Sequence, residues 1–486
     1  MRGRRFSPRP SQALKPGYFL SISLQNIRCF GAQQTLDLSD GKGRPAPFTI
    51  LLGDNGTGKT TLLQLLVKMR PMVMPSLKTA TTSTWGLGVF YEGEAARSGG
   101  GQQHVRAEYG WGDGLSAAAF ERTKLKAERE PPDGGWSSEP LHSPAWRLVL
   151  FGYGASRRMS PHPPDMRQLA PELSPFGWDA NTATLFDDSE ELINGEAWLM
   201  DADYAARMPG PGQAQARARF ETVKRLLIAL LPDGDILDLY CEAQEQDRPT
   251  AHVAVVAKTH YGKVPLRQLS LGYRTLFAWM VDLAARLYIR YPTSGNPLAE
   301  PAVVLVDEID LHLHPRWQRQ LFSRLAALFP NVQFIVTAHS PLVVQAAPSG
   351  TNVVVLRRPK NSDFVVIEGQ DQAVKTWRLD QIVTSELFGL PSARSPEQDV
   401  LRSRRRELLR KPRLSGKEAA ELHAIEAQLT EAPGGETPEE MRLQQLVYEA
   451  ARELGLPTRH EPARKKSRGS TGQKGREPAL RTAARR

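Results

Sequence analysis

The chain has few cysteines and no long apolar run. Only two of its 486 residues are cysteines, Cys29 and Cys241, too few for a disulfide framework and in keeping with a reducing compartment. No apolar run approaches the roughly 18 residues that a membrane-spanning helix needs. The basic N-terminus is not followed by an apolar stretch, so it does not read as a secretory signal. We therefore expect a cytoplasmic protein without a membrane segment.

Two other patterns are also missing. No long heptad repeat occurs, which excludes an extended coiled coil and a tethering role based on long arms. After residue 390 we find no set of acidic residues of the kind that holds metal in a nuclease domain. If the protein acts on nucleic acid, we expect the cutting activity to lie in another chain.

Positive charge is concentrated at the two ends of the chain. Of the formal net charge of +10, residues 1–15 contribute +5 and residues 457–486 contribute +8, which leaves −3 for residues 16–456. Such ends are most often solvated, disordered tails. The alternative is non-specific contact between these basic ends and the phosphates of a nucleic acid.

A glycine-rich loop lies between a predicted strand and a predicted helix. Residues 53–60 read Gly-Asp-Asn-Gly-Thr-Gly-Lys-Thr, after an apolar run and before a leucine-rich helical pattern. Such a loop turns backbone N–H groups toward phosphate oxygens, and the helix N-terminus adds partial positive charge. Lys59 should reach the β- and γ-phosphates, and the Thr60 hydroxyl should bind Mg²⁺. The predicted ATP contacts are Gly53, Asp54, Asn55, Gly56, Thr57, Gly58, Lys59, Thr60 and Thr61.

Two further strands are predicted to end beside this loop. Pro301 to Val306 is a β-branched run typical of a buried parallel strand, and Asp307 and Glu308 follow it. There Asp307 is placed to hold Mg²⁺, and Glu308 to orient and deprotonate the attacking water. His339 comes shortly after a second such strand, Val332 to Thr337, and we expect it within reach of the γ-phosphate. Without the two phosphate motifs before it, His339 would be interpreted as a structural histidine.

A second anion site is predicted at the start of another helix. Residues 269–274 read Leu-Ser-Leu-Gly-Tyr-Arg and precede an apolar helical stripe. Ser270 suits the N-cap position and Gly272 permits close backbone approach, so this helix start can bind phosphate. One nucleotide has a single set of phosphates, whereas the chain has two such helix ends. We therefore predict a head-to-tail dimer in which each ATP lies between the glycine-rich loop of one chain and the Ser270 turn of the other.

The order and spacing of these motifs resemble the ABC-type ATPase heads of the RecF, SMC and OLD proteins, over roughly residues 18 to 390. The resemblance implies a signature motif that includes Ser270, Gly272 and Arg274, a Walker B pair of Asp307 and Glu308, a switch histidine at His339, and an interface loop that contains Asp310. OLD proteins continue into a nuclease domain with metal-binding Glu and Asp-x-Asp residues, and we find no such set of residues in this sequence.

Smaller signatures resemble bacterial AAA-family ATP-binding proteins, among them PtuA-like ATPases of antiphage systems, which act with a separate nuclease. They are residues 151–158 (Phe-Gly-Tyr-Gly-Ala-Ser-Arg-Arg), residues 311–315 (Leu-His-Leu-His-Pro) and residues 380–390. His312 and His314 also allow a metal site. No cysteine or third histidine follows at ligand spacing, so an interface loop shaped by Pro315 is the favoured interpretation.

The expected fold is α/β, a P-loop NTPase of ABC-head type with a mostly parallel core sheet, an antiparallel N-terminal β-lobe, a helical insertion and a C-terminal helical extension. We expect a basic disordered N-terminus at 1–16, the head at 17–376 with its insertion at about 160–235, helices at 377–456 and a basic disordered tail at 457–486. Residues 71–145 mix strand-like pieces with glycine-, serine- and proline-rich stretches, notably residues 98–101 and 131–135, and we expect loops and poor order there.

Two classes of function follow from these expectations. In the first, the protein is an Mg²⁺-dependent ATPase whose dimer, or higher oligomer of heads, controls a separate nucleic-acid-directed effector, expected to be a nuclease in antiphage defence. A RecF-like repair ATPase would share this chemistry and differ in its partner. In the second, ATP stabilises a scaffold with little turnover. The intact Glu308 favours the first class.

Overall fold

A computed structural model of the chain describes residues 14–74, 84–87, 102–117, 119–129, 136–138, 146–164, 179–231, 234–244, 252–369, 377–385, 387–390, 392–430 and 446. Both basic ends, except for residues 14–16, and the capping sequence at Thr437 therefore lie outside the described residues. Within the described part of the chain, no helix is long and apolar enough to cross a membrane.

A six-stranded, mostly parallel sheet forms the centre of the molecule. Its strands lie in the order β10, β14, β15, β3, β16, β17, and only the pairing of β16 with β17 is antiparallel. Both faces of its inner strands are buried, which explains their unbroken apolar sequences. The strands are β3 Phe48–Gly53, β10 Leu150–Tyr153, β14 Ala302–Val306, β15 Val332–Thr337, β16 Asn352–Arg357 and β17 Val366–Gly369. The mostly parallel α/β core predicted from the sequence is confirmed.

An antiparallel sheet in the order β2, β1, β6, β7, β8 packs with the first helix over one face of the core sheet. Its strands are β1 Lys15–Gln25, β2 Gln34–Asp37, β6 Gln103–Trp111, β7 Glu121–Arg129 and β8 Trp136–Ser138. A short strand β9, Trp146–Arg147, pairs with β1. Within residues 71–145, where strand-like pieces mixed with loops are expected, β6 and β7 are regular strands, and Val105, Ala107 and Tyr109 of β6 alternate toward the core.

Helices between residues 195 and 384 cover the other face of the core sheet. Along all the described residues, the α-helices are α1 Lys59–Lys68, α2 Gly195–Arg207, α3 Gln213–Leu230, α4 Leu271–Arg290, α5 Pro315–Gln318, α6 Leu321–Leu328, α7 Pro341–Gln345, α8 Leu379–Thr384, α9 Pro396–Arg410 and α10 Gly416–Thr430. The pair α2 and α3 forms the predicted helical insertion. Beside it lies a three-stranded sheet of β11 Asp238–Gln244, β12 His252–Thr259 and β13 Gly262–Pro265, and β4 Pro71–Met74 pairs with β5 Thr84–Leu87 elsewhere.

The chain divides into two compact units, residues 1–393 and 394–486. The first unit extends beyond residue 376, where the sequence placed the end of the head, because Ile382 and Leu387 are buried in its main core. In the second unit α9 and α10 pair through Arg404, whose guanidinium contacts Glu421. The capping box predicted at Ser415 is present, since its backbone N–H donates to Glu418 Oε2 at 2.8 Å.

Candidate nucleotide-binding site

The glycine-rich loop joins the end of β3 to the start of α1. Gly56 and Gly58 have φ of 76° and 86°, a left-handed conformation that favours glycine. Gly58 also has no room for a side chain, because a Cβ there would lie 2.6 Å from Cys29 Sγ. The two glycines therefore shape the loop that the sequence assigned to phosphate binding.

Lys59 lies across the loop and is only 7% exposed. Its Nζ donates to the carbonyl oxygens of Gly53 at 2.8 Å and Asp54 at 3.0 Å. Burial lowers the pKa of Lys59, while the nearby carboxylates, Asp307 first among them, act in the opposite direction. A partly buried ammonium at a helix N-terminus is suited to an anionic ligand.

Asp307 follows β14 and contacts two threonine hydroxyls from other parts of the chain. Thr60 Oγ1 donates to Asp307 Oδ2 at 2.6 Å, and Thr337 Oγ1 donates to Asp307 Oδ1 at 2.6 Å. The Thr60 hydroxyl and the Asp307 carboxylate thus lie side by side at the cleft. Such hard oxygen ligands beside a phosphate loop fit the requirements of Mg²⁺.

Glu308 has a strained backbone and a side chain in the cleft. Its φ is 49°, which is uncommon for a residue with a Cβ. The Glu308 backbone N–H donates to Thr337 Oγ1 at 2.7 Å. His339, two residues beyond the end of β15, is exposed in the same cleft, and its backbone N–H donates to Asp310 Oδ2 at 3.1 Å. Asp310 therefore braces the histidine loop of its own chain.

These residues line one cleft of about 350 Å³. Its walls are Arg28, Cys29, Asn55, Gly56, Gly58, Lys59, Thr60, Thr61, Asp307, Glu308 and His339. Arg28 and Cys29 were not among the residues predicted from sequence. The Arg28 guanidinium donates to Thr61 Oγ1 at 3.2 Å, so the turn after β1 is fixed to the first turn of α1. The residues predicted at the ends of β3, β14 and β15 therefore line one cleft, and the turn after β1 of the N-terminal lobe forms an additional wall.

The predicted signature residues lie elsewhere. Ser270 lines a second cleft of about 270 Å³, whose other lining residues are Asp235, Tyr273, His312, His314, Arg316 and Trp317, and the two clefts share no lining residue. Ser270 occupies the N-cap position of α4, but its side chain makes no capping hydrogen bond, contrary to the sequence expectation. Arg274 is exposed on the first turn and lines neither cleft.

Gly272 is required for contact between α4 and the loop before Pro315. A Cβ at Gly272 would lie 2.5 Å from the carbonyl oxygen of His312. His312 itself has a φ of 62°, and His314 Nδ1 accepts the Arg316 backbone N–H at 3.2 Å. The two histidines therefore belong to a tightly shaped loop at the second cleft, and the location of this loop at an interface stays a prediction.

Two buried arginines of the head were not predicted from the sequence. Arg157 is 2% exposed and donates to the carbonyl oxygens of Asp307 and Glu308. Arg286 on α4 pairs with Asp282, with 2.6 Å between Nε and Oδ2. The spacing of four residues between Asp282 and Arg286 was the available signal for that pair. For Arg157, the only signal was the motif at 151–158.

Parts of the chain are similar to known families and proteins. Residues 149–345 match a family model described as "AAA domain, putative AbiEii toxin, Type IV TA system", and residues 21–67 match one described as "AAA domain". The chain is 26% identical to the Septu protein PtuA of Bacillus mycoides (strain KBAB4) over 422 residues, 86% of this chain and 51% of that protein. It is 43% identical to the Retron Ec83 probable ATPase of Escherichia coli over 115 residues, 24% of this chain and 21% of that protein.

Among solved structures, the SMC head domain from Thermotoga maritima is similar to this chain at 14% sequence identity and a TM-score of 0.37. The match covers 73% of this chain and 99% of the SMC head domain. The chain spans about half the length of the PtuA relative and about a fifth of the retron ATPase. The resemblance to bacterial AAA-family ATP-binding proteins and PtuA-like ATPases, predicted from the motifs, is confirmed.

Proposed function

We propose that the chain binds and hydrolyses ATP, and that ATP-dependent head-to-tail dimerisation controls a separate nucleic-acid-directed effector. The observation that carries the proposal is the convergence of Lys59, Thr60, Asp307, Glu308 and His339 on one cleft. These residues are spread over most of the head, and each lies at the end of a strand or the start of a helix, where phosphate chemistry is usually found.

Substrate binding rests on backbone and cationic donors. The N–H groups of the loop and the N-terminus of α1 face the phosphates, and Lys59 supplies the positive charge. Thr60 and Asp307 would hold Mg²⁺, which neutralises charge on the phosphate oxygens. Arg28, which also lines the cleft, would be a second cation for the triphosphate.

Hydrolysis requires a positioned base. The oxygen of a water molecule attacks the γ-phosphorus, the bond from that phosphorus to the β–γ bridging oxygen breaks, and the water proton passes to the Glu308 carboxylate. The products are ADP and inorganic phosphate. We expect His339, which is exposed in the cleft, to donate a hydrogen bond to a γ-phosphate oxygen.

The second cleft supports a shared site. The N-terminus of the 20-residue helix α4 and the Ser270 hydroxyl, which makes no capping bond, form an anion site that is separate from Lys59 of the same chain. In a two-fold dimer the same pair of surfaces meets twice, so two ATP molecules each contact Lys59 of one chain and Ser270 of the other.

The effector is proposed to be a separate chain. The described residues after 390 form two helices that show no set of clustered carboxylates, and the PtuA-like resemblance implies a separate nuclease. Similarity to a Septu protein and to a retron ATPase supports a role in antiphage defence, and the cytoplasm is the compartment that we expect from the sequence.

Two variants test the ATPase. Lys59→Ala should abolish ATP binding in calorimetry, whereas Glu308→Gln should bind ATP and lose about 10²–10⁴-fold in turnover. Wild-type turnover in Glu308→Gln would rule out Glu308 as the base.

The effector is tested by purifying tagged Glu308→Gln with the protein that it retains and assaying DNA and RNA cleavage. The pure chain should not cut, and the complex should cut in an ATP-dependent manner. Metal-dependent cleavage by the pure chain, lost in an active-site variant of that chain, would overturn the separate-effector proposal.

A further inference from the structure

Arg157 reaches the peptide that carries the proposed catalytic base. The segment after β10 runs beside the segment after β14, since the Asp307 backbone N–H donates to the Tyr153 carbonyl at 2.8 Å. From there the Arg157 side chain turns inward. Its Nη1 donates to the Asp307 carbonyl at 2.6 Å and its Nη2 to the Glu308 carbonyl at 2.8 Å. One planar guanidinium therefore spans two consecutive carbonyl groups.

The backbone on both sides of this contact is strained. Glu308 has a φ of 49° and Arg157 a φ of 36°, both in the left-handed region that disfavours residues with a Cβ. Such conformations persist only where surrounding contacts hold them. The Glu308 N–H donates to the Thr337 hydroxyl, and the Glu308 carbonyl accepts from Arg157 and from the Leu311 N–H at 3.0 Å.

Arg157 is an unfavourable group to bury for stability alone. Its side chain is almost fully enclosed, and its Nε–H meets no acceptor among the described residues. Burial lowers the pKa of Arg157 to about 10, with Asp307, Glu308 and Asp310 opposing the shift, so the guanidinium is still protonated at neutral pH. A buried cation with an unpaired donor and a strained backbone indicates a functional constraint.

We infer that Arg157 is a positioning residue for ATP hydrolysis, whose two-pronged bond to the Asp307 and Glu308 carbonyls holds the Glu308 carboxylate in the cleft. This inference rests on the proposed ATPase function. Because Arg157 touches only backbone of the Walker B segment, it should affect the chemical step far more than ATP binding.

Arg158 provides a matched control in the adjacent position. It is exposed, and its Nη2 donates to the Asp188 carbonyl at 2.8 Å, away from the lining of the cleft. A lysine in place of either arginine keeps the positive charge but cannot form two parallel bonds from a rigid fork. If Arg157→Lys impairs turnover and Arg158→Lys does not, the loss is due to the two hydrogen bonds of the Arg157 guanidinium and not to the replacement of an arginine as such.

The experiment compares kcat, KM and the equilibrium Kd for ATP in wild type, Arg157→Lys and Arg158→Lys. We expect Arg157→Lys to lower kcat by roughly 10- to 100-fold while Kd stays within about threefold, and Arg158→Lys to match wild type. Guanidinium ion added at non-denaturing concentration should partly restore kcat in Arg157→Ala and not in Lys59→Ala. A merely structural role would give no such rescue.

Two results would overturn the inference. Wild-type kcat in Arg157→Lys would show that the fork is not needed, and a parallel loss of ATP binding and melting temperature, without guanidinium rescue, would show a structural role. Either result leaves wild-type turnover intact, so the proposed ATPase would stand. Absence of turnover in the wild-type chain and its effector complex would instead defeat the proposed function itself.

Discussion

Thr60 and Asp307 are 247 positions apart in the chain, and Thr60 Oγ1 lies 2.6 Å from Asp307 Oδ2. The contact joins the first turn of α1 to the end of β14, across the parallel strands of the core sheet. The other carboxylate oxygen of Asp307 is fixed by the Thr337 hydroxyl. Both proposed Mg²⁺ ligands are therefore oriented by the fold.

Thr337→Val should impair both stability and turnover. The Thr337 hydroxyl accepts the Glu308 N–H and donates to Asp307, so the isosteric valine leaves two buried polar groups unpaired. We expect a loss of about 1–3 kcal/mol in the free energy of unfolding. Misplacement of Glu308 should lower kcat by roughly 10- to 100-fold. Denaturant titration and steady-state kinetics measure the two effects.

Thr49→Val is the matched control for that substitution. Thr49 is equally buried on the adjacent strand β3, but its hydroxyl has no hydrogen-bond partner among the described residues. Its replacement should leave stability unchanged or improved, with turnover intact. Equal losses in Thr49→Val and Thr337→Val would show that the Thr337 hydrogen bonds have no special role.

ATP binding should take up protons at alkaline pH. Burial lowers the pKa of Lys59 from its ordinary 10.5, and the negative charge of a bound triphosphate favours the protonated amine and raises that pKa again. At a pH between the pKa of Lys59 in the free chain and its pKa in the ATP complex, ATP binding adds a proton to Lys59, so the affinity for ATP falls as the pH rises. Well below both pKa values, Lys59 is protonated with or without ATP. Calorimetry in buffers of different ionisation enthalpy should show more proton uptake at about pH 9 than at about pH 7.

In Lys59→Arg the guanidinium stays protonated at both pH values, so the difference in proton uptake should disappear. Equal proton uptake by the wild-type chain at both pH values would contradict the location of Lys59 at the phosphates.

The residues at strand ends could be predicted because their signals are local. A β-branched run followed by acidic residues predicts both a parallel strand and the edge at which Asp307 and Glu308 emerge. The structure brings them to the same cleft as Lys59 and His339, while their chemical roles stay predictions.

Long-range contacts could not be predicted in this way. Nothing in the sequence near Arg157 indicates that its guanidinium meets the carbonyl of a residue 151 positions away, or that Glu308 adopts a positive φ. The sequence indicated strand-like pieces among residues 71–145 but not the bounds of β6 and β7, because glycine- and proline-rich stretches surround the alternation of Val105, Ala107 and Tyr109. Their place in the lobe depends on pairing with β1, a tertiary contact.

The central claim, that each ATP is shared between two chains, is tested most directly by mixing Lys59→Ala chains with Ser270→Arg chains and measuring ATP turnover. Each variant alone should be inactive. In a heterodimer, the wild-type Lys59 of one chain meets the wild-type Ser270 of the other, so one of the two sites is intact. An equal mixture should therefore recover about a quarter of wild-type turnover per chain if chains pair at random. Activity that stays at zero across all mixing ratios, or full activity in Ser270→Arg alone, would contradict the shared site.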